Sequence, residues 1–181
     1  MRKIYCLLGI FCLFCFSCKR SSVKKDVDSE NIIINFEKTR GRIVVPDSLE
    51  DLASGGIFYL NSLSSNSFLI HTLDVTCEGC VVQLNGLLNY FREIEERYGL
   101  KTLIIASSAY VGEKVKQRFL HYPYPVLYDE NESFKWKNRI IRDDVLCSFL
   151  VKDCNLLKVG DLKTQESRED FNRILEEVFR K

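Results

Sequence analysis

Hydrophobic and polar positions divide the chain into three stretches. Ile4 to Phe16 is an apolar run of 13 residues behind Arg2 and Lys3. Lys19 to Glu30 is almost free of apolar side chains. From Asn31 onward the two classes alternate with recognisable periods. Asn31–Phe36 and Arg42–Val45 are rich in Ile and Val and predict short strands. Pro46-Asp47-Ser48 predicts a turn that opens one helical turn through Leu52, broken at Gly55-Gly56. Ile57–Leu60 predicts a further strand, and Ser62–Ser67 a polar loop.

The pattern is more regular from Phe68. Phe68–Leu73 predicts a buried strand. Val81, Leu84, Leu87, Leu88, Phe91, Ile94 and Tyr98 then recur at steps of three and four, one face of a helix that Gly99 stops. Glu93 and Arg97 form an i,i+4 pair on its other side. Thr102–Ala106 is a central strand, Val111–Leu120 a second helix closed by Pro123 and Pro125, and Val126–Tyr128 another strand. Ser133–Ile141 is weakly helical. Phe149–Val151 and Leu156–Val159 flank the turn Lys152-Asp153-Cys154-Asn155 and predict a hairpin. Ser167-Arg168-Glu169-Asp170 resembles a capping box before the stripe Phe171, Ile174, Leu175, Val178 and Phe179. Strands alternating with helices imply an α/β fold: a central mixed sheet flanked by helices, with an N-terminal extension of short strands.

A membrane-spanning helix needs about twenty apolar residues, so the run Ile4–Phe16 is too short to be one. A basic start, a run of this length and Ser17 after it predict a secretory signal over residues 1–17. Leu13-Phe14-Cys15-Phe16-Ser17-Cys18 resembles a bacterial lipobox, with Cys15 where leucine is usual. The resemblance implies that Cys18 is lipidated and becomes the new N-terminus; ordinary cleavage nearby is the alternative. Residues 18–30 then form a flexible tether, 31–66 the N-terminal extension and 67–181 the main domain. The anchor is an N-terminal lipid on the outer side of the inner membrane or on the outer membrane.

Composition narrows the function classes. The 181 residues are 46% hydrophobic and 28% charged, which excludes a disordered polymer and supplies a sizeable core. Net charge is +1, and removal of Arg2 and Lys3 leaves 24 basic residues against 25 acidic, so no nucleic-acid surface is implied. The charged faces Arg92–Arg97 and Lys114–Arg118 read as solvated. Of eight cysteines, five remain after the signal: Cys18, Cys77, Cys80, Cys147 and Cys154.

Cys77-Glu78-Gly79-Cys80 lies between the strand and the long helix. A helix start offers unpaired N–H groups and positive potential, which favour a thiolate. A thiol of pKa near ~8.5 drops to about 3.5–7.5 in such settings. Cys77 is then the nucleophile toward a disulfide, and Cys80 the thiol that resolves the mixed disulfide. The pair carries the electrons itself, so neither an organic cofactor nor a metal is required.

The strand–CxxC–helix start, with Tyr124-Pro125-Val126-Leu127-Tyr128-Asp129 and Ser148-Phe149-Leu150-Val151-Lys152-Asp153, resembles the thioredoxin superfamily in its TlpA/ResA-like envelope branch. The resemblance implies thiol–disulfide exchange in the bacterial cell envelope. Its partners would be protein thiols or disulfides and a redox protein, with the membrane reached through the lipid. Three positions depart from the family pattern. Thr76 stands where tryptophan is usual, and Glu78 puts a negative charge beside Cys77 that is expected to raise its pKa. Leu146 occupies the slot of a cis-proline, and a trans bond is expected there. His71 occupies the slot of a buried carboxylate. Its simplest reading is a strand histidine held by a neighbouring carbonyl, the sharper one an acceptor for the Cys80 proton.

Two other readings of the pair stay open. Cys77 and Cys80 form a purely structural disulfide in a non-catalytic interaction module, or they bind a soft metal such as Cu(I). Against the metal, neither His71 nor His121 has ligand spacing to the pair. Cys147 and Cys154 read as free thiols, and a bridge from Cys77 to Cys147 is a hypothesis.

Overall fold

The structure is a computed structural model that describes residues 41–60, 67–108, 110–138, 140 and 148–180. The signal, Cys18, the tether, the strand expected at 31–36, and Val145, Leu146 and Cys147 lie outside the described residues. Among the described residues no helix is long and apolar enough to cross a membrane.

Among the described residues, seven strands and four helices follow one another: β1 (Ser48–Asp51), β2 (Ile57–Tyr59), β3 (Phe68–Leu73), α1 (Glu78–Tyr98), β4 (Lys101–Ala106), α2 (Glu113–Phe119), β5 (Val126–Tyr128), α3 (Ser133–Lys137), β6 (Ser148–Lys152), β7 (Asn155–Gly160) and α4 (Gln165–Phe179). All strands join one sheet in the order β2-β1-β5-β4-β3-β6-β7. β3, β4 and β5 are parallel, and the pairs on either side of them are antiparallel. The α/β mixed sheet expected from the sequence is therefore the fold, and β1 and β2 extend the same sheet.

β3 and β4 are apolar at successive positions because both sheet faces are covered. Leu69, Leu73, Ile104 and Ala106 pack with Leu84 and Phe91 of α1 and Phe171 and Leu175 of α4. Ile70, Leu103 and Ile105 face the other way, toward Phe134, Phe149, Ile43 and Leu49. The long helix ends where expected: Gly99, at φ 67, donates its N–H to the Glu95 carbonyl at 3.0 Å. The hairpin β6–β7 turns through Asp153 and Cys154, at φ 52 and 62, with Lys152 paired to Asn155. Two central residues with positive φ match the twist of the flanking strands.

Four local expectations are corrected. Ser48–Leu52 is not a helical turn, because residues 48–51 pair with β2 and β5 on either side, and Leu49 enters the core. Asp51 ends that strand. Its carboxylate accepts the Ala53 N–H at 3.3 Å and the Ser54 hydroxyl at 2.7 Å. Arg42–Val45 makes one bridge to Asn155 rather than a strand. The Asn138 side-chain amide takes both backbone groups of Val44, each at 2.8 Å. The helix after Tyr128 stops at Lys137, short of Ile141. The last helix begins earlier than its apparent capping box: Thr164 is the N-cap, its hydroxyl accepting the Ser167 N–H at 3.2 Å.

Gly160 closes β7 under this helix. A Cβ there would overlap Ser167 Oγ and lie 3.1 Å from the Phe171 ring, so only glycine lets α4 approach the sheet this closely.

Candidate active site

β3 runs out at Leu73, and the next three residues fold back to start α1. Val75 is fully buried and anchors this connection in the core. Asp74 shapes it: one carboxylate oxygen accepts the Thr76 N–H at 2.8 Å and the Thr76 hydroxyl at 2.6 Å. The Asp74 carbonyl accepts the Cys77 N–H at 3.3 Å.

Cys77 is the N-cap of α1, with extended backbone, and its sulfur accepts the Cys80 N–H at 3.3 Å. Its carbonyl accepts from Cys80 and Val81 at 3.1 and 3.2 Å, the first bonds of the helix. Both cysteines are half-buried free thiols, and Cys80 packs against the core cluster.

The two thiols are driven apart in acidity. The Cys77 thiol lies below its ordinary pKa. The hydrogen bond from the Cys80 thiol is the main cause, followed by the Cys80 backbone N–H, with a smaller share from that of Gly79. Partial burial and the Asp74 charge oppose this. The carboxylate that weighs on Cys77 is therefore Asp74 rather than the adjacent Glu78. Cys80 is pushed up to about 11, first by burial, then by its bond to Cys77 and the charge there, then by Asp74; Lys163 pulls it back. An ionised first sulfur and a protonated second one are the state from which a dithiol attacks a disulfide.

His71 lies on β3, 2% exposed. Its Nδ1 meets the Ser148 hydroxyl of β6 at 2.8 Å, so a side chain takes the place of the expected carbonyl. The ring tilts against Phe91, with centroids 5.6 Å apart. Nε2 has no hydrogen-bond partner among the described residues. Burial, with a smaller push from Lys163, lowers its pKa to about 4, so the imidazole is neutral near pH 7.

Cys154 sits at the hairpin tip, where its carbonyl accepts the Ile43 N–H at 2.8 Å. Among the described residues no group of three His, Cys, Asp or Glu side chains converges as a metal site. Asp74, Ser148 and Lys163 join the site without a sequence signal of their own, apart from the Asp-x-Thr spacing of a side-chain-closed turn.

No protein-family model matches this sequence, and no curated protein sequence matches it. Solved structures do. A thioredoxin-like protein from Porphyromonas gingivalis superposes with a TM-score of 0.53 at 19% identity, over 76% of this chain and 93% of that one. The exposed lipoprotein thioredoxin Etrx1 from Streptococcus pneumoniae gives 0.52 at 16% identity, over 72% of this chain and 98% of that one. Yeast Sco1 with copper bound gives 0.55 at 19% identity, over 76% and 93%. At these identities the likeness is one of fold. The strand order, the half-buried cysteine pair at a helix start and these superpositions agree that the chain has the thioredoxin-like fold.

Proposed function

We propose that the protein is a membrane-anchored, extracytoplasmic thiol–disulfide oxidoreductase in which Cys77 is the nucleophile and Cys80 the resolving thiol. The observation that carries this reading is the Cys77 sulfur at the N-cap of α1, accepting the Cys80 N–H at 3.3 Å. The Cys77 thiolate attacks one sulfur of a substrate disulfide and forms a mixed disulfide, while the other substrate sulfur leaves and takes a proton. Cys80 then gives up its proton and attacks Cys77, forming the 77–80 disulfide and releasing the second substrate thiol. The substrate gains two electrons and the protein loses two. A redox partner protein returns them, and the opposite direction runs through the same intermediates.

The envelope location rests on the sequence: the signal at 1–17, the lipid site at Cys18 and the polar tether to residue 30. The domain from residue 67 carries the chemistry, with residues 31–66 as its extension. A lipoprotein thioredoxin among the similar folds is consistent with this.

Equilibration of the protein with glutathione or dithiothreitol buffers tests the reading. An exchangeable 77–80 couple with a potential in the range of known oxidoreductases, roughly −270 to −120 mV, supports it. A pair that stays oxidised below roughly −300 mV is a structural disulfide, and the protein is then a non-catalytic interaction module.

A further inference from the structure

Trp136 is the single tryptophan of the chain, and it is 69% exposed. A ring of this size usually buries most of its surface. Its neighbours on α3 set its direction. Phe134 and Asn138, four residues apart, are buried against the sheet, so Trp136 between them points outward. The Lys135 ammonium lies 5.8 Å from the centre of the indole, and Lys137 on its other side is exposed. Asn138, at the end of α3, holds both backbone groups of Val44. Ile43 packs in the same core layer as Phe134, while Val44 is 45% exposed and Arg42 is exposed as well. An indole, an aliphatic side chain and three cations thus share this side of the sheet.

The same segment is where the chain arrives from its N-terminal end. The Gly41 carbonyl accepts the Leu156 N–H, and the Ile43 N–H donates to the Cys154 carbonyl, at and just after the tip of the β6–β7 hairpin. That tip lies beside Phe68, where β3 begins, whereas Cys77 follows Leu73, where β3 ends. Cys80 packs with the core layer under α1 and α4, and Phe134 with the layer on the opposite face of the sheet. Trp136 and the cysteine pair therefore look in different directions.

We propose that the outer side of α3, with Trp136 at its centre and Lys135, Lys137 and Arg42 around it, docks on a bilayer that carries anionic headgroups, so that the tethered domain presents Cys77 away from the lipid. This rests on the anchoring reading above. Residues 19–40 join the lipid site at Cys18 to Gly41. A random coil of that length spans about 25 Å on average. A lipid on Cys18 thereby keeps the bilayer within reach of the surface around Gly41, at a high effective concentration. An indole settles at the headgroup level, where one part of the ring meets water and the rest meets hydrocarbon. Lysine and arginine beside it are drawn to the negative surface.

The test uses the full-length chain, produced in a bacterium that processes lipoproteins and reconstituted in vesicles, with Trp136 as the built-in probe. Vesicles of phosphatidylglycerol and phosphatidylcholine, with lipid brominated near the top of the acyl chains, are compared with vesicles of phosphatidylcholine alone. In the anionic vesicles Trp136 emission is expected to move to the blue, to be quenched by the brominated lipid and to be shielded from acrylamide, while Cys77 stays open to a soluble alkylating reagent. Lys137→Gln is expected to lower the ratio of docked to undocked domain about fivefold, and Lys137→Arg to keep it. About 1 M salt weakens the docking. Protein that floats with the vesicles but leaves Trp136 as open to acrylamide as in solution overturns this inference alone. Shielding that follows the density of protein on the vesicle rather than its anionic lipid also overturns it, and assigns the face to a second copy. Protein that floats with neither kind of vesicle overturns the anchoring reading, and this inference with it.

Discussion

Cys77 and Cys80 meet through the backbone as well as through their sulfurs: the Cys77 Sγ accepts the Cys80 N–H at 3.3 Å, the bond that opens α1. The same contact caps the helix and favours the ionised form of the first sulfur. Helix stability and thiol acidity are therefore coupled at one atom. Serine keeps a capping oxygen that the helix accepts, so Cys77→Ser should fold normally while losing all exchange. Cys80→Ser should still attack disulfides and then stall, accumulating mixed disulfides that non-reducing electrophoresis detects. Equal residual activity in both variants would contradict the assignment of roles.

Asp74 is expected to restrain the pair. Its charge raises both thiols, while its side-chain oxygen closes the turn before the helix. Asn keeps the acceptor and removes the charge. Asp74→Asn should shift the pH profile of Cys77 alkylation to lower pH with the thermal midpoint little changed. A shift to higher pH would show that the turn, not the charge, dominates.

His71 gives the fold an acid-sensitive limb. Its pKa is about 4 in the folded protein and 6.5 in an unfolded chain, so the unfolded chain binds the proton more readily. Its share of stability is complete above about pH 6.5 and is lost as pH falls toward about 4. The difference corresponds to about 3 kcal/mol, an order of magnitude for a buried group. Denaturant midpoints measured across this range should fall, and His71→Leu should flatten the slope there. A slope unchanged by His71→Leu assigns the acid limb to other groups.

Gly160 and Ser167 should behave as a coupled pair. Gly160→Ala forces a methyl group into Ser167 Oγ and against Phe171, at a cost of about 1–3 kcal/mol. Ser167 Oγ is buried without a hydrogen-bond partner among the described residues, so Ser167→Ala removes the nearest obstacle cheaply. A double-mutant cycle in urea should show the Gly160→Ala penalty shrinking in the Ser167→Ala background. Strict additivity would rule out the close approach as its cause.

The sequence makes most of the central layer legible because its elements are long and periodic. Leu84, Leu87, Phe91 and Ile94 mark one face of α1, and all four are buried. Elements made by distant partners are less legible. Ser48–Asp51 has a single buried apolar residue, Leu49, and becomes a strand only because β2 and β5 flank it. Val44 fails to extend a strand because Asn138, far along the chain, takes its backbone bonds. At the site the cysteine spacing is plain in the chain. The opposing influences of Asp74 and Lys163 are not, because Lys163 arrives from a turn more than eighty residues downstream. Glu78, next to Cys77 in the chain, suggests a role that the folded geometry gives to Asp74.

The central claim is that α1 and Cys80 together make the Cys77 thiol more acidic than an ordinary cysteine while Cys80 holds its proton. The pH dependence of alkylation of the reduced protein, with each cysteine followed separately by peptide mass spectrometry, tests it most directly. Cys77 should react with a midpoint below that of an ordinary thiol, and Cys80 only at strongly alkaline pH. A Cys77 that titrates like a free cysteine, or a Cys80 that reacts first, contradicts the account.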